Sequence, residues 1–142
     1  VYPKKEAKVT SIVGQGWGNW NALGGLQAME DLLVAHGDIN LLISENDDMA
    51  LGALKAIREA GKADQVLIAA AADGQKQAIE LIRDGKYGVT GLNNPVLTAE
   101  KAVEVAARYL HGQRDFPKQT FTEATAITRE NADTIYDPNA VF

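Results

Sequence analysis

A fourfold alternation of strand-length apolar runs with helical patterns constrains this chain more than any other feature. The strand-like runs are Lys8 to Val13, Asn40 to Ser44, Val66 to Ala70 and Gly88 to Leu92. After the first, Leu26, Met29 and Leu33 recur at helical spacing with Gln27, Glu30 and Asp31 opposite, and His36-Gly37 supplies a stop. Met49, Ala53, Leu54 and Ile57 make a second stripe that ends at Gly61; Ala78, Ile79 and Ile82 make a third that ends at Gly85. A fourth helix is expected from about Thr98, its N-cap, through Ala102, Val103, Ala106 and Leu110 to Gly112. Strands joined in succession through helices pair in parallel, because a hairpin cannot connect them. The expected class is therefore α/β, an open parallel sheet with helices on both faces. Past Gly112 the pattern changes: Phe116-Pro117 reads as a loop, Thr120 to Ile127 as a strand, and Thr128 to Tyr136 as a short closing helix.

A chain of 142 residues buries about 70% of its unfolded surface, enough for a core without covalent staples. It has no cysteine, which excludes disulfides and a thiol nucleophile. Its two histidines, His36 and His111, fall at helix ends, where an imidazole meets the last carbonyls, so no metal site is expected. Fourteen basic against nineteen acidic residues give a net charge of −5 without a basic cluster, so nucleic acid is not an expected partner. The longest apolar stretch, Val66 to Ala72, is far short of a membrane span, and membrane insertion is not expected. The chain opens on Val1 and shows no signal-peptide pattern; it reads as a processed chain whose start need not be the natural one.

In open α/β sheets, ligands bind beyond the carboxyl ends of the strands. Four clusters follow the strands here: Gln15, Trp17, Asn19 and Trp20; Glu45, Asn46, Asp47 and Asp48; Asp73 and Gly74; Asn93 and Asn94. They bring carboxylates, carboxamides and indoles together without a nucleophile paired to a base, so an enzyme is not expected. Asp and Asn bond to vicinal hydroxyls, and an indole face covers the C–H side of a sugar ring. Each has a simpler structural role: Asp47, Asp48 and Asp73 sit where carboxylates cap helices, and Asn46 and Asn93 tolerate turn geometry. Two tryptophans within four residues among Gly14, Gly16 and Gly18 do not show core spacing, so at least one is expected to face a cleft. Tyr136 and Phe142 are expected to cover a core edge.

A dinucleotide fingerprint is a competing reading, since Gly14-Gln-Gly16-Trp17-Gly18-Asn19 follows a strand and Glu45 ends the next one. Asn19 occupies the third glycine position, and the bulky Trp17 stands where pyrophosphate must approach the backbone. The phosphate loop, the paired-histidine zinc motif and the serine elbow are all missing from the sequence. No cofactor is expected.

The run Glu45-Asn-Asp-Asp-Met-Ala-Leu-Gly-Ala-Leu-Lys-Ala-Ile-Arg-Glu-Ala-Gly61 resembles the signature helix of periplasmic sugar-binding proteins of the ribose-binding type, the substrate receptors of ABC transporters. The resemblance continues through Val66 to Gly85, the Thr90 to Pro95 crossover, and the tail from Ile127-Thr-Arg-Glu-Asn to Tyr136-Asp-Pro-Asn. Asn19-Trp20 before Gly25-Leu26 is similar to the family's aromatic stacking position. It implies that Trp20 stacks on a sugar while Asn46, Asp73 and Asn93 hold its hydroxyls, with Gln15, Trp17 and Asn19 as secondary candidates. Two departures stand out: Asn93 falls where ribose-binding relatives carry Gln, and Ala69 to Ala72 lacks the Gly-Phe that often precedes Asp73.

The resemblance also implies only the C-terminal half of a two-lobed protein, an incomplete lobe of the type I periplasmic-binding fold. Residues 1–92 would form the partial sugar-binding lobe, 93–118 the crossover and a helix packing with the N-terminal lobe, and 119–142 the return strand and tail. The implied partners are a monosaccharide or polyol, the missing N-terminal lobe or a second chain, and an ABC permease. The implied location is the periplasm, or an extracytoplasmic lipoprotein anchor. The effector domain of LacI-type repressors shares this fold and much of the Asn46-Asp47 helix, but usually shows Asp-Asp where Asp73-Gly74 stands and lacks the Tyr-Asp-Pro-Asn ending. An NAD-binding enzyme domain is the third reading.

Overall fold

The computed structural model describes residues 11–142. In chain order they form α1 (Ala22–Ala35), β1 (Leu41–Ser44), α2 (Asp47–Glu59), β2 (Leu67–Ala70), α3 (Lys76–Arg83), β3 (Thr90–Gly91), α4 (Pro95–Leu110), β4 (Ala126–Ile127) and α5 (Ala132–Ile135). β1 and β2 pair in parallel, from Leu41 opposite Leu67 to Ser44 opposite Ala70. Parallel bridges from Ala69 to Val89 and from Asp73 to Leu92 tie β2 to the segment around β3. β4 then returns antiparallel to β3, with Thr90 opposite Ile127. The class is α/β with parallel strands, as expected, bordered by one antiparallel strand from the tail. Of the expected first strand, Lys8 to Thr10 lie outside the described residues, and Ser11 to Val13 belong to no strand.

Strand side chains alternate between faces, and one face carries the core. Ile68 and Ala70 are buried there beside Ala53, Leu54 and Ile57 of α2 and Ala78, Ile79 and Ile82 of α3. Removing a side chain such as Ile57 from water stabilises the fold by roughly 1.5–3 kcal/mol. α1 packs on α2 so closely that a Cβ at Gly52 would run into the Ala22 carbonyl oxygen. On the other face Leu41, Ile43 and Leu67 are 37%, 67% and 60% exposed. The helical cover expected for that face is not supplied there by the described residues, because α2 packs on the buried face and α1 on α2.

The strand expected over Gly88 to Leu92 is limited to Thr90–Gly91, and three further boundaries differ from the sequence reading. α4 starts at Pro95, not near Thr98: the Asn94 side chain accepts from the Val96 N–H, and a proline in the first turn needs no hydrogen-bond acceptor for its nitrogen. Thr98 sits within the first turn, its hydroxyl 3.3 Å from the Asn94 carbonyl. The expected strand from Thr120 shrinks to Ala126–Ile127 because β3 offers only two residues to pair. The closing helix shrinks to Ala132–Ile135, since the Asn131 side chain takes the Thr128 N–H and turns the chain first. No residue of α4 is buried. Between α4 and the segment 116–122 runs an open groove of about 880 Å³, lined by Ala102, Val105, Tyr109, Phe116 and Phe121 among others.

Candidate functional site

The loops that leave β1, β2 and β3 meet at one edge of the sheet, as parallel strands require. Asn46 is buried at the start of α2, where its Oδ1 accepts from the Met49 N–H at 3.0 Å. This makes Asn46 the N-cap of α2, the duty considered for Asp47 and Asp48. Asp73 stands half-buried after β2. Its carbonyl accepts from the Asn93 N–H at 2.9 Å, and the Asn93 Nδ2 lies 3.5 Å from its Oδ1. Asp73 does not cap α3, whose N-cap position is Gln75. Asn46, Asp73 and Asn93 thus come from three different loops onto one edge.

Asp47 joins these loops. It is 0% exposed, and its Oδ2 accepts from the N–H groups of Asp73, Gly74 and Gln75 at 3.0, 2.8 and 2.9 Å. Its Oδ1 accepts from the Tyr87 hydroxyl at 2.7 Å. A buried carboxylate is tolerated when several donors surround it, and charge-assisted bonds of this kind are the stronger ones. Beside it the Gln75 amide donates to Asp48 Oδ1 at 3.2 Å. Burial, with the charge of Asp47, pushes the Tyr87 hydroxyl far above its ordinary range, so it remains a donor. Burial likewise raises the Asp73 carboxyl, against the bond from Asn93 that lowers it, and the charges of Asp47 and Asp48 raise it further.

The glycine-rich segment approaches the same edge from α1. Gly14 lies against Leu32 and His36, Gly16 against Ala28, and Gly18 against Met49 in the first turn of α2. Trp20, 62% exposed, and Asn19 therefore sit by the N-terminus of α2, and both adopt left-handed backbone with φ of 57° and 49°. That conformation is uncommon for a bulky residue. Asn21 behind them caps α1 through the Gly24 N–H. Trp17 is 81% exposed, and Gln15 lies farther back, between the contacts of Gly14 and Gly16 along α1. The structure groups Asn46, Asp73 and Asn93, sets Asn19 and Trp20 at the neighbouring helix end, and does not bring Gln15 to them.

Tyr87 and Gln75 were not singled out in the sequence. Tyr87 follows the Gly85 stop directly before the third helix's next strand, and nothing local marks its hydroxyl as the partner of a carboxylate forty residues away. His111 does what its position implied, with Nδ1 2.8 Å from the Ala107 carbonyl. Tyr136 is half-buried against the core, under the Arg83 guanidinium at 4.6 Å. Among the described residues no group of three or more His, Cys, Asp or Glu could hold a metal ion, and no helix is long and apolar enough to cross a membrane.

A family model described as periplasmic binding protein domain matches residues 4–114. Over 90 residues the chain is 43% identical to the ribose import binding protein of Bacillus subtilis, covering 63% of this chain and 28% of that protein. It is 30% identical over 115 residues to the D-apiose import binding protein of Paraburkholderia graminis, covering 80% of this chain and 36% of that one. Among solved structures, an ABC transporter periplasmic solute binding protein from Actinobacillus succinogenes with bound D-allose superposes with a TM-score of 0.82 at 29% identity, over 87% of this chain and 43% of that one. A solute binding protein from Bacillus halodurans with bound myo-inositol gives 0.79 at 28% identity, over 88% and 42%. The chain spans about a third of the length of the relatives it matches by sequence.

Proposed function

Because the chain belongs to the periplasmic binding protein family, of the type I sugar-binding kind, we propose that it is the C-terminal part of a receptor that takes up a sugar or polyol and hands it to an ABC permease. The observation that carries this reading is the meeting of Asn46, Asp73 and Asn93 from three loops at one sheet edge, beside an exposed Trp20. Two carboxamides and a carboxylate offer both donors and acceptors to vicinal hydroxyls, and the indole offers a ring face. Asn19 and Trp17 flank that position; Gln15 is the weakest of the candidates because its segment runs back along α1.

In this reading residues 1–92 belong to the sugar-binding lobe, 93–118 pack with an N-terminal lobe, and 119–142 return to complete the sheet. The exposed α4 and its apolar groove are the surface that such a lobe would cover. The protein makes and breaks no bond. It works in the periplasm, or tethered outside the cytoplasmic membrane, by closing two lobes over the ligand, because a sugar touching both lobes binds the closed form more tightly. The relatives named as ribose and D-apiose import binding proteins, and the structures with D-allose and myo-inositol, define the ligand class to test. Calorimetric titration of the complete two-lobed protein with D-ribose, D-apiose, D-allose and myo-inositol should give saturable binding of at least one and no new product. Conversion of the ligand would overturn the reading.

A further inference from the structure

Asn46 and Asp73 sit on different loops, and one buried side chain lies between them. We infer that Asp47 is a positioning residue of the site: it fixes the Asp73 carboxylate relative to Asn46 without touching the ligand. The inference rests on the sugar-binding reading above. Asp47 follows Asn46 directly in sequence, so its backbone moves with the cap of α2. Its carboxylate is bound to the N–H groups of Asp73, Gly74 and Gln75, and so holds the backbone from which the Asp73 side chain projects. Gln75, the N-cap residue of α3, makes no side-chain capping bond of its own. Asp47 of α2 instead takes the N–H of Gln75 itself and of the two loop residues before it, so one carboxylate ties the start of α2 to the loop that leads into α3. Tyr87 closes the arrangement by donating to the other oxygen from the approach to β3, the strand that leads to Asn93.

At 0% exposure and with both oxygens engaged, Asp47 is shielded from any ligand, so its influence has to pass through Asp73. Capping alone needs no charge, as Asn46 shows next door. Three consecutive N–H groups converging on one oxygen set the direction of a short loop more tightly than a single bond would.

The test is a double-mutant cycle in the complete receptor, using as probe whichever of D-ribose, D-apiose, D-allose and myo-inositol binds it most tightly. Asp47→Asn keeps the size of the side chain and an acceptor oxygen, and Tyr87→Phe is a milder second variant that leaves Asp47 in place. At a temperature where circular dichroism shows each variant folded, Asp47→Asn should weaken binding by about tenfold and Tyr87→Phe by a few-fold. On an Asp73→Ala background both should cost almost nothing further in affinity, while still lowering the melting temperature. A purely structural role lowers the melting temperature in both backgrounds and leaves affinity unchanged in both. Folded variants with unchanged affinity, or with equal losses on both backgrounds, overturn the positioning role alone. A receptor that binds none of the four probes overturns the functional reading and this role with it.

Discussion

Asp73 carries most of the weight at the residue scale, because it is the charged acceptor of the three grouped residues and is neither fully buried nor used up by a helix cap. Asp73→Asn should weaken sugar binding by at least about tenfold, the loss expected when charge-assisted bonds become neutral ones. Calorimetry on the complete receptor measures it, and unchanged affinity would return Asp73 to a loop-shaping role. Burial raises the carboxyl of Asp73, so it gains its proton on acidification earlier than an ordinary carboxylate. Affinity should therefore fall as pH drops through that raised value, and the Asp73→Asn protein should lose this acid limb. The sign for folding is opposite: a carboxyl raised in the folded state adds stability below its unfolded value and loses it as pH rises through the folded one. Trp20→Ala should remove most of the affinity and the ligand-induced fluorescence change, through lost ring-face burial at about 25 cal/mol per Å². If Trp17→Ala has that effect instead, the stacking position lies three residues earlier.

Elements show why some of this structure was legible in the sequence and some was not. The apolar stripes of α1, α2 and α3 and their glycine stops are local signals. Gly61 and Gly85 follow the helix ends with φ of 69° and 72°, a backbone that other residues rarely adopt, so the stops could be read directly. The edge where ligand groups gather also follows from parallel strand order. What was not legible depends on partners distant in sequence. The short β4 is limited by β3 across the sheet, and Tyr87 is defined by Asp47, forty positions earlier. The start of α4 was missed for a local reason, since Asn94-Pro95 is itself a capping signal that outweighs Thr98. The α1–α2 contact gives a sharp check on packing. Gly52→Ala should destabilise by about 2 kcal/mol or more, because its Cβ meets the backbone of Ala22, whereas Gly37→Ala, with open space around it, should stay within about 0.5 kcal/mol. Thermal denaturation of the two variants compares them directly.

At the scale of the whole molecule, the sheet face and the α4 surface left uncovered among the described residues are the dominant facts. Leu41, Ile43 and Leu67 on one side, and Val103 and Leu110 on the other, leave apolar surface of a kind that single soluble domains seldom show. On the proposed reading this segment is one jaw of a closing pair, so by itself it should bind sugar much more weakly than the complete receptor, with the ligand left open to water. Titrating both with the same sugar compares them. X-ray scattering on the complete protein should show compaction on adding the right sugar and none with a sugar that does not bind.

The tail re-enters the sheet only after α4 has been traversed, and it does so beside the strand by which the chain left: the Leu92 N–H donates to the Thr125 carbonyl, and Ile127 is fully buried. Arg83 holds Asp133, and Lys76 donates to the Pro138 carbonyl, so the returning segment is clasped to α3 as well. Continuity of the peptide between Gly112 and Thr120 is therefore not what keeps the tail in place. A protease cut in that exposed stretch should yield two peptides that migrate as one particle until denatured. The two pieces, produced separately, should find each other again, which makes that stretch the natural joint at which to split the protein into a complementing pair.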